Sequence, residues 1–230
     1  MGKSLPKPVF VSQFKTPEEV EERIKNRVNE NMDDPEWNWC GICCVRMILL
    51  GLGREVPPLE EMYRTAFDEY QVFRRVDGKI IGAYHHDLAT YIREEFGFRA
   101  WREYGQHQAD VFGFMPKDAR GMSTLEIAEH VHLGRHVIAS VSASIRDLFG
   151  PAPETKGGHL VLIYGVEEAE EGRVFILHNS AGFLSNGTQQ AVRVTDKRFG
   201  ECFSEKAIVV AHPEELVVED GDVTIDYGGA

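Results

Sequence analysis

The chain lacks any long hydrophobic run. No stretch approaches the ~18 apolar residues that cross a bilayer, and Met1-Gly2-Lys3-Ser4-Leu5-Pro6-Lys7-Pro8 holds no apolar block of signal-peptide length. These absences predict a soluble, cytoplasmic protein with no membrane partner. The initial Met-Gly pair suggests myristoylation, but the position that needs Ser or Thr is Pro6. Basic residues are few beside acidic ones, 25 against 37, and the formal charge of −12 argues against nucleic acid as a partner. Glu214, Glu215, Glu219, Asp220, Asp222 and Asp226 account for part of that excess, and no Lys or Arg lies between them. Residues 213–230 therefore read as an acidic, flexible tail.

Cysteine is also sparse, with four residues at 40, 43, 44 and 202, and the clustering of three of them excludes the spaced disulfide framework of a small secreted fold. Cys40-x-x-Cys43 has no second Cys-x-x-Cys to complete a four-ligand zinc site. Cys43 and Cys44 fit a helical apolar pattern as small hydrophobes. Gly2-Lys3-Ser4 lacks the preceding glycine of a phosphate-binding loop. Neither a metal nor a cofactor is expected. Repeats and low-complexity linkers are absent too, so residues 1–212 are expected to form one domain.

What is present is a cysteine placed where a polar stretch turns into an apolar helix, in Trp39-Cys40-Gly41-Ile42-Cys43-Cys44-Val45-Arg46-Met47-Ile48-Leu49-Leu50-Gly51. First-turn N–H groups of a helix lack partners and carry the positive end of its dipole, which biases a thiol there toward thiolate. Gly157-Gly158-His159 runs into the apolar strand Leu160-Val161-Leu162-Ile163, and Phe175-Ile176-Leu177-His178-Asn179-Ser180 ends another strand in an amide. A cysteine nucleophile needs a base, a group that orients the base, and donors for the oxyanion. Cys40, His159 and Asn179 are the candidates for the first three roles. His85, His86 and His178 compete with His159. Tyr84, His85, His86 and Trp101 are candidates to line a cleft.

Thr16-Pro17-Glu18-Glu19 predicts a helix from about 17 to 30, and Ser123-Thr124-Leu125-Glu126 predicts another that ends at Gly134. Further helices are expected from Cys40 to Gly51 or Gly53, from Pro58 to about Asp68, and up to Phe96 with Gly97 as its stop. Val9-Phe10-Val11 and Arg99-Ala100-Trp101 read as short strands. Residues 136–141, 159–165, 173–178, 190–195 and 207–211 read as longer ones. Helices in the first half and strands in the second predict an α+β fold.

These segments resemble the bacteriocin-processing (double-glycine leader) peptidase-like domains, a branch of the papain-like cysteine peptidases. The likeness rests on Trp39-Cys40-Gly41 with Met47-Ile48-Leu49, on Gly134-Arg135-His136-Val137-Ile138, on Gly157-Gly158-His159-Leu160-Val161, and on the strand ending at Asn179. It implies a papain-like two-lobed fold, with the Cys in an N-terminal helical lobe and the His and Asn in a C-terminal antiparallel sheet lobe. It also implies a peptide or amide substrate and a thioester acyl-enzyme. The family's oxyanion glutamine usually lies a few residues before the Cys, where this chain has Asp34. Val11-Ser12-Gln13-Phe14 is similar to the segment that carries it, which makes Gln13 the first oxyanion candidate, Asn38 the second, and residues 16–36 an inserted helix and loop. Asn179 stands where many members have Asp. The same triad serves a hydrolase, an acyltransferase, a transpeptidase or an amide ligase, and a non-catalytic peptide-binding module keeps the fold without turnover.

Overall fold

Each well-capped helix begins where a hydroxyl or carboxylate satisfies its first N–H groups. In the computed structural model, which describes residues 3–26, 35–104, 108–110, 120–170 and 172–214, Thr16 Oγ1 accepts from Glu19 N at 3.3 Å to open α1 (Pro17–Lys25). Helix α5 (Thr124–His132) opens on the reciprocal Ser123–Glu126 capping box. Helix α2 (Cys40–Gly51) is different: Trp39, already in a helical conformation, precedes it without a side-chain cap, and a 3-10 turn (Pro35–Asn38) leads straight in. The first-turn amides of α2 are therefore left to face whatever packs against its start. Helices α3 (Leu59–Asp68) and α4 (His85–Phe96) follow, the latter ending at Gly97 in a left-handed conformation.

Seven antiparallel strands form the main sheet in the order β4-β3-β9-β5-β6-β7-β8. They are β3 (Arg99–Tyr104), β4 (Gln108–Asp110), β5 (His136–Ser142), β6 (Gly158–Ala169), β7 (Gly172–His178), β8 (Val192–Thr195) and β9 (Phe203–Ala211). Side-chain alternation gives the sheet two apolar faces. Ile138, Leu160, Leu162, Ile208 and Val210 pack with α2, α3 and α4. Val137, Ala139, Val161, Ile163 and Val209 pack on the other side with α5 and with α6 (Asp196–Cys202). The two cores are thus the two faces of one sheet. The α+β class holds, and the arrangement fits a papain-like fold.

Several sequence expectations change. The first half is not purely helical, because β3 and β4 join the main sheet through β9. A hairpin of β1 (Phe73–Val76) and β2 (Lys79–Gly82) turns at Asp77-Gly78, both with positive φ. That dipeptide is a strong hairpin signal which the sequence reading passed over. Helix α6 was also missed, since its seven residues include Gly200 and little apolar periodicity. Helix α1 ends at Lys25 with Asn26 as its C-cap, short of residue 30. Residues 9–11 form no strand. They belong to an extended segment held by isolated bonds, from Leu5 N to Gly134 O, Val9 N to Met47 O and Gln13 N to Ser180 O. The expected acidic tail from residue 215 on, and residues 27–34 of the expected insert, lie outside the described residues.

The core behind β7 gives a first test. Phe175 is fully buried and its ring lies 4.9 Å from that of Phe199. Phe175→Ala should lower the unfolding free energy in urea by about 3–5 kcal/mol, and a loss below about 1 kcal/mol would contradict this packing.

Candidate active site

The start of α2 abuts the start of β6. Gly41 makes the approach possible: a Cβ there would lie 3.0 Å from Leu160 Cδ1 and 3.1 Å from Leu88 Cδ2. Cys40, the first residue of α2, is 8 % exposed, and its thiol lies near the backbone amides of Leu160 and Gly41. Leu160 follows His159 in β6, so the helix start carries the thiol to the histidine's strand position.

His159 is buried, and its Nε2 donates to Asn179 Oδ1 at 2.8 Å. The same oxygen accepts the backbone N–H of Ala181 at 3.2 Å, which fixes the amide's orientation, since only an oxygen accepts from both donors. With Nε2 protonated, Nδ1 of the neutral ring keeps its lone pair for a second partner. Asn179 lies one residue beyond β7, at the head of a loop that closes when its N–H meets Gln189 O at 2.8 Å. That loop admits no side chain at Gly182, where a Cβ would sit 1.7 Å from Thr188 O.

Gln13 reaches the same neighbourhood from the N-terminal segment. Its backbone N–H bonds Ser180 O at 2.9 Å, and its Nε2 bonds Glu36 O at 2.8 Å. Phe14, Val20 and Ala181 form a small core beneath it, with Ile24 and Trp37 packed alongside. The structure therefore brings Cys40, His159, Asn179 and Gln13 to one region, while Asn38 sits in the 3-10 turn before α2. Cys43 and Cys44 are fully buried along α2, and Cys202 ends α6. His178 is committed elsewhere: Nε2 faces Pro8 O at 3.2 Å and Nδ1 accepts from Ala191 N at 3.1 Å. Tyr84, His85 and His86 open α4, whereas Trp101 packs against His130 and Arg135 with the second core, so these four line no common cleft. Among the described residues, no group of three or more His, Cys, Asp or Glu side chains is placed to hold a metal ion. No helix among them is long and apolar enough to cross a membrane.

Electrostatics corrects one expectation. Burial pushes the Cys40 thiol above its ordinary value, and this outweighs the downward pull of the nearby amides and of Arg146. Burial, aided by the Arg146 charge, pushes His159 down to about 3 despite its bond to Asn179. Burial thus favours the neutral thiol and the neutral imidazole at rest, and the helix start does not by itself yield a thiolate.

Arg146 was missed in the sequence. It ends a 3-10 turn (Ala143–Arg146) directly after β5, whose Val141 and Ser142 pair with His159 and Gly158. Its Nε donates to Ala181 O at 2.6 Å, which holds the cation next to the residue that also bonds Asn179. Only the antiparallel register of β5 and β6 reveals this proximity. A sequence reading that had paired those strands would have found it.

Over residues 12–205 the sequence matches the Peptidase_C39 like family, a family of cysteine peptidase type. No curated protein matches the chain.

Two measurements follow from the neutral pair and from burial. The rate at which iodoacetamide labels Cys40 should climb steadily with pH through about pH 9, whereas a plateau extending below about pH 6 would reveal a preformed thiolate–imidazolium pair. His136, His159 and His178 are all buried and held down to about 3, 3 and 4, against 6.5 ordinarily. Unfolding restores the ordinary value, so the unfolded chain binds more protons between those limits. The stability these groups contribute is complete above pH 6.5 and is lost as pH falls toward their folded values. Melting temperature should fall between about pH 7 and about pH 5, each group adding a slope of at most about 1.4 kcal/mol per pH unit. A flat or rising profile over that interval would contradict the burial of these rings.

Proposed function

The chain belongs to the Peptidase_C39 like family, and from that premise we propose that it is a cysteine-nucleophile hydrolase of peptide or amide bonds. Cys40 is the nucleophile, His159 the acid–base and Asn179 the positioning residue. The observation that carries this reading is the 2.8 Å bond from His159 Nε2 to Asn179 Oδ1, with Leu160, the residue after His159, packed against the helix start at Gly41. In the proposed cycle His159 Nδ1 takes the thiol proton as Sγ attacks the substrate carbonyl carbon. The carbonyl oxygen becomes the oxyanion, held by the Cys40 backbone N–H and by the Gln13 amide. Proton return from His159 Nδ1 to the departing nitrogen breaks the C–N bond and leaves a thioester on Cys40. Water, deprotonated by His159, then attacks the thioester carbon, releasing the acid and restoring the Cys40 thiol.

The roles of Gln13 and Asn179 follow from their bonding. One N–H of Gln13 is engaged by Glu36 O, which anchors the side chain and leaves its second N–H for the oxyanion. Asn179 is neutral, so it holds the tautomer of His159 without placing a carboxylate beside the imidazolium that forms during attack. Burial of both Cys40 and His159 favours a second reading. In it an amine enters the closed site instead of water and takes the acyl group, as in a transpeptidase or ligase.

Assays of amine release from a panel of peptide amides, with intact-mass detection of the thioester, test the proposal. Cys40→Ala should abolish turnover and the mass increment, while Cys44→Ala should retain both and lose mainly stability. Gln13→Ala should lower kcat by about 10²–10³-fold. Equal turnover by Cys40→Ala and the native chain would end the enzymatic reading. An acylated amine product, formed when an amine is added, would favour transfer over hydrolysis.

A further inference from the structure

Arg146 ends the 3-10 turn that follows β5, and its bonds lead to the loop that carries Asn179. Its Nε donates to Ala181 O at 2.6 Å, and its own carbonyl accepts from Asn186 Nδ2 at 2.8 Å. The guanidinium carbon lies 5.9 Å from the centre of the Phe183 ring. One arginine thus meets the loop at residues 181, 183 and 186. Its own turn is fixed by a second arginine. Arg198 of α6 is 5 % exposed, and its Nη2 donates to Ser144 O and to Asp147 O, each at 2.7 Å. Arg146 therefore extends from a backbone that is itself held, as a support for a functional group requires.

Asn179 to Gly182 form a tight turn, closed by Gly182 N to Asn179 O at 3.1 Å. Ala181 is the third residue of that turn, and the closing bond does not use its carbonyl. Arg146 takes that carbonyl, while the N–H of Ala181 donates to Asn179 Oδ1 at 3.2 Å and the same oxygen accepts from His159 Nε2 at 2.8 Å. Hydrogen bonds therefore run from Arg146 through Ala181 and Asn179 to His159. Asn179 Nδ2 is buried without a hydrogen-bond partner among the described residues. The amide that orients the histidine is thus held through its oxygen, and Arg146 anchors one of the two residues bonded there.

We propose that Arg146 is a positioning residue for the hydrolase reaction proposed above, on which this inference rests: it anchors the Asn179–Gly182 turn so that the Asn179 oxygen stays on His159 Nε2, and its charge favours the anionic sulfur that attack creates at Cys40. A cation favours a thiolate and disfavours an imidazolium, and Arg146 acts in those directions on Cys40 and on His159. Cys43 and Cys44 also interact with Cys40, and burial pushes both of their thiols up, which keeps them neutral.

Two substitutions separate the bond from the charge. Arg146→Gln removes the charge, yet its amide nitrogen stands as many bonds from Cβ as arginine Nε does, so it can still donate to Ala181 O. Arg146→Met, of similar length, removes both. In Arg146→Gln the rate at which iodoacetamide labels Cys40 at pH 8, read by peptide mass, should fall at least about threefold, because the thiolate loses its cation. Loosened packing would raise that rate instead, since burial is what holds the thiol up. Nitrogen-15 NMR should show His159 as the single Nε2–H tautomer in the native chain and in Arg146→Gln, and as a mixture of tautomers in Arg146→Met. With a peptide amide as substrate, kcat of Arg146→Met should lie about tenfold below that of Arg146→Gln, with KM within about twofold. A merely structural arginine would lower the melting temperature and leave the tautomer alone. A folded Arg146→Met that keeps the single tautomer, or an Arg146→Gln whose Cys40 labels as fast as the native chain or faster, would overturn the proposal. If Arg146→Met does not fold, the labelling rate of Arg146→Gln decides. Absence of turnover in the native chain would end the hydrolase reading, while the tautomer and labelling results would still decide the role of Arg146.

Discussion

The hydrogen bond from His159 Nε2 to Asn179 Oδ1 joins the beginning of β6 to the residue just past β7, and the candidate site is organised around it. Because the same oxygen also accepts from Ala181 N, the amide cannot rotate without losing two bonds, and the imidazole keeps one tautomer. The loop that follows Asn179 is closed by backbone pairing to Gln189, and the Gln189 side chain reaches Pro17 O at 2.7 Å and Gly182 O at 3.0 Å. Glu21 of α1 adds bonds to Ser185. The N-terminal helix thus braces the loop that orients the histidine, although the two are far apart in sequence.

Desolvation decides the charge state of the site. A thiol at a helix start and an imidazole beside it are often described as if the helix dipole were the main influence. Here burial opposes ionisation of both groups, and the Arg146 cation, which favours a thiolate, disfavours an imidazolium. In the proposed cycle the ion pair therefore arises during attack, as charge passes from one group to the other. The amides of Cys40 and Gln13 are the partners proposed for the oxyanion in that cycle.

Much of this was legible in the sequence because its signals are local. Gly157-Gly158-His159 followed by an apolar run marks a strand beginning with a histidine, and Leu177-His178-Asn179-Ser180 marks a strand ending in an amide. The helix of Cys40 announces itself by an apolar run stopped by glycine. What stayed hidden depends on pairing between distant segments. Arg146 reaches the site only through the register of β5 on β6, and residues 99–104 enter the sheet only because β9 returns beside them. The neutrality of Cys40 and His159 is likewise tertiary, since burial is not written at either residue. The bulge at Tyr164 is hidden for the same reason: one extra residue in a strand is visible only against its partner.

The account stands on a neutral, Nε2-protonated His159 whose Nδ1 faces the nucleophile. Nitrogen-15 NMR of the histidine side chains measures tautomer and ionisation directly. The account predicts that His159 shows the Nε2–H tautomer, stays neutral down to about pH 5, and shifts at Nδ1 when Cys40 is alkylated. An Nδ1–H tautomer, or a His159 that titrates near the ordinary 6.5, would contradict it.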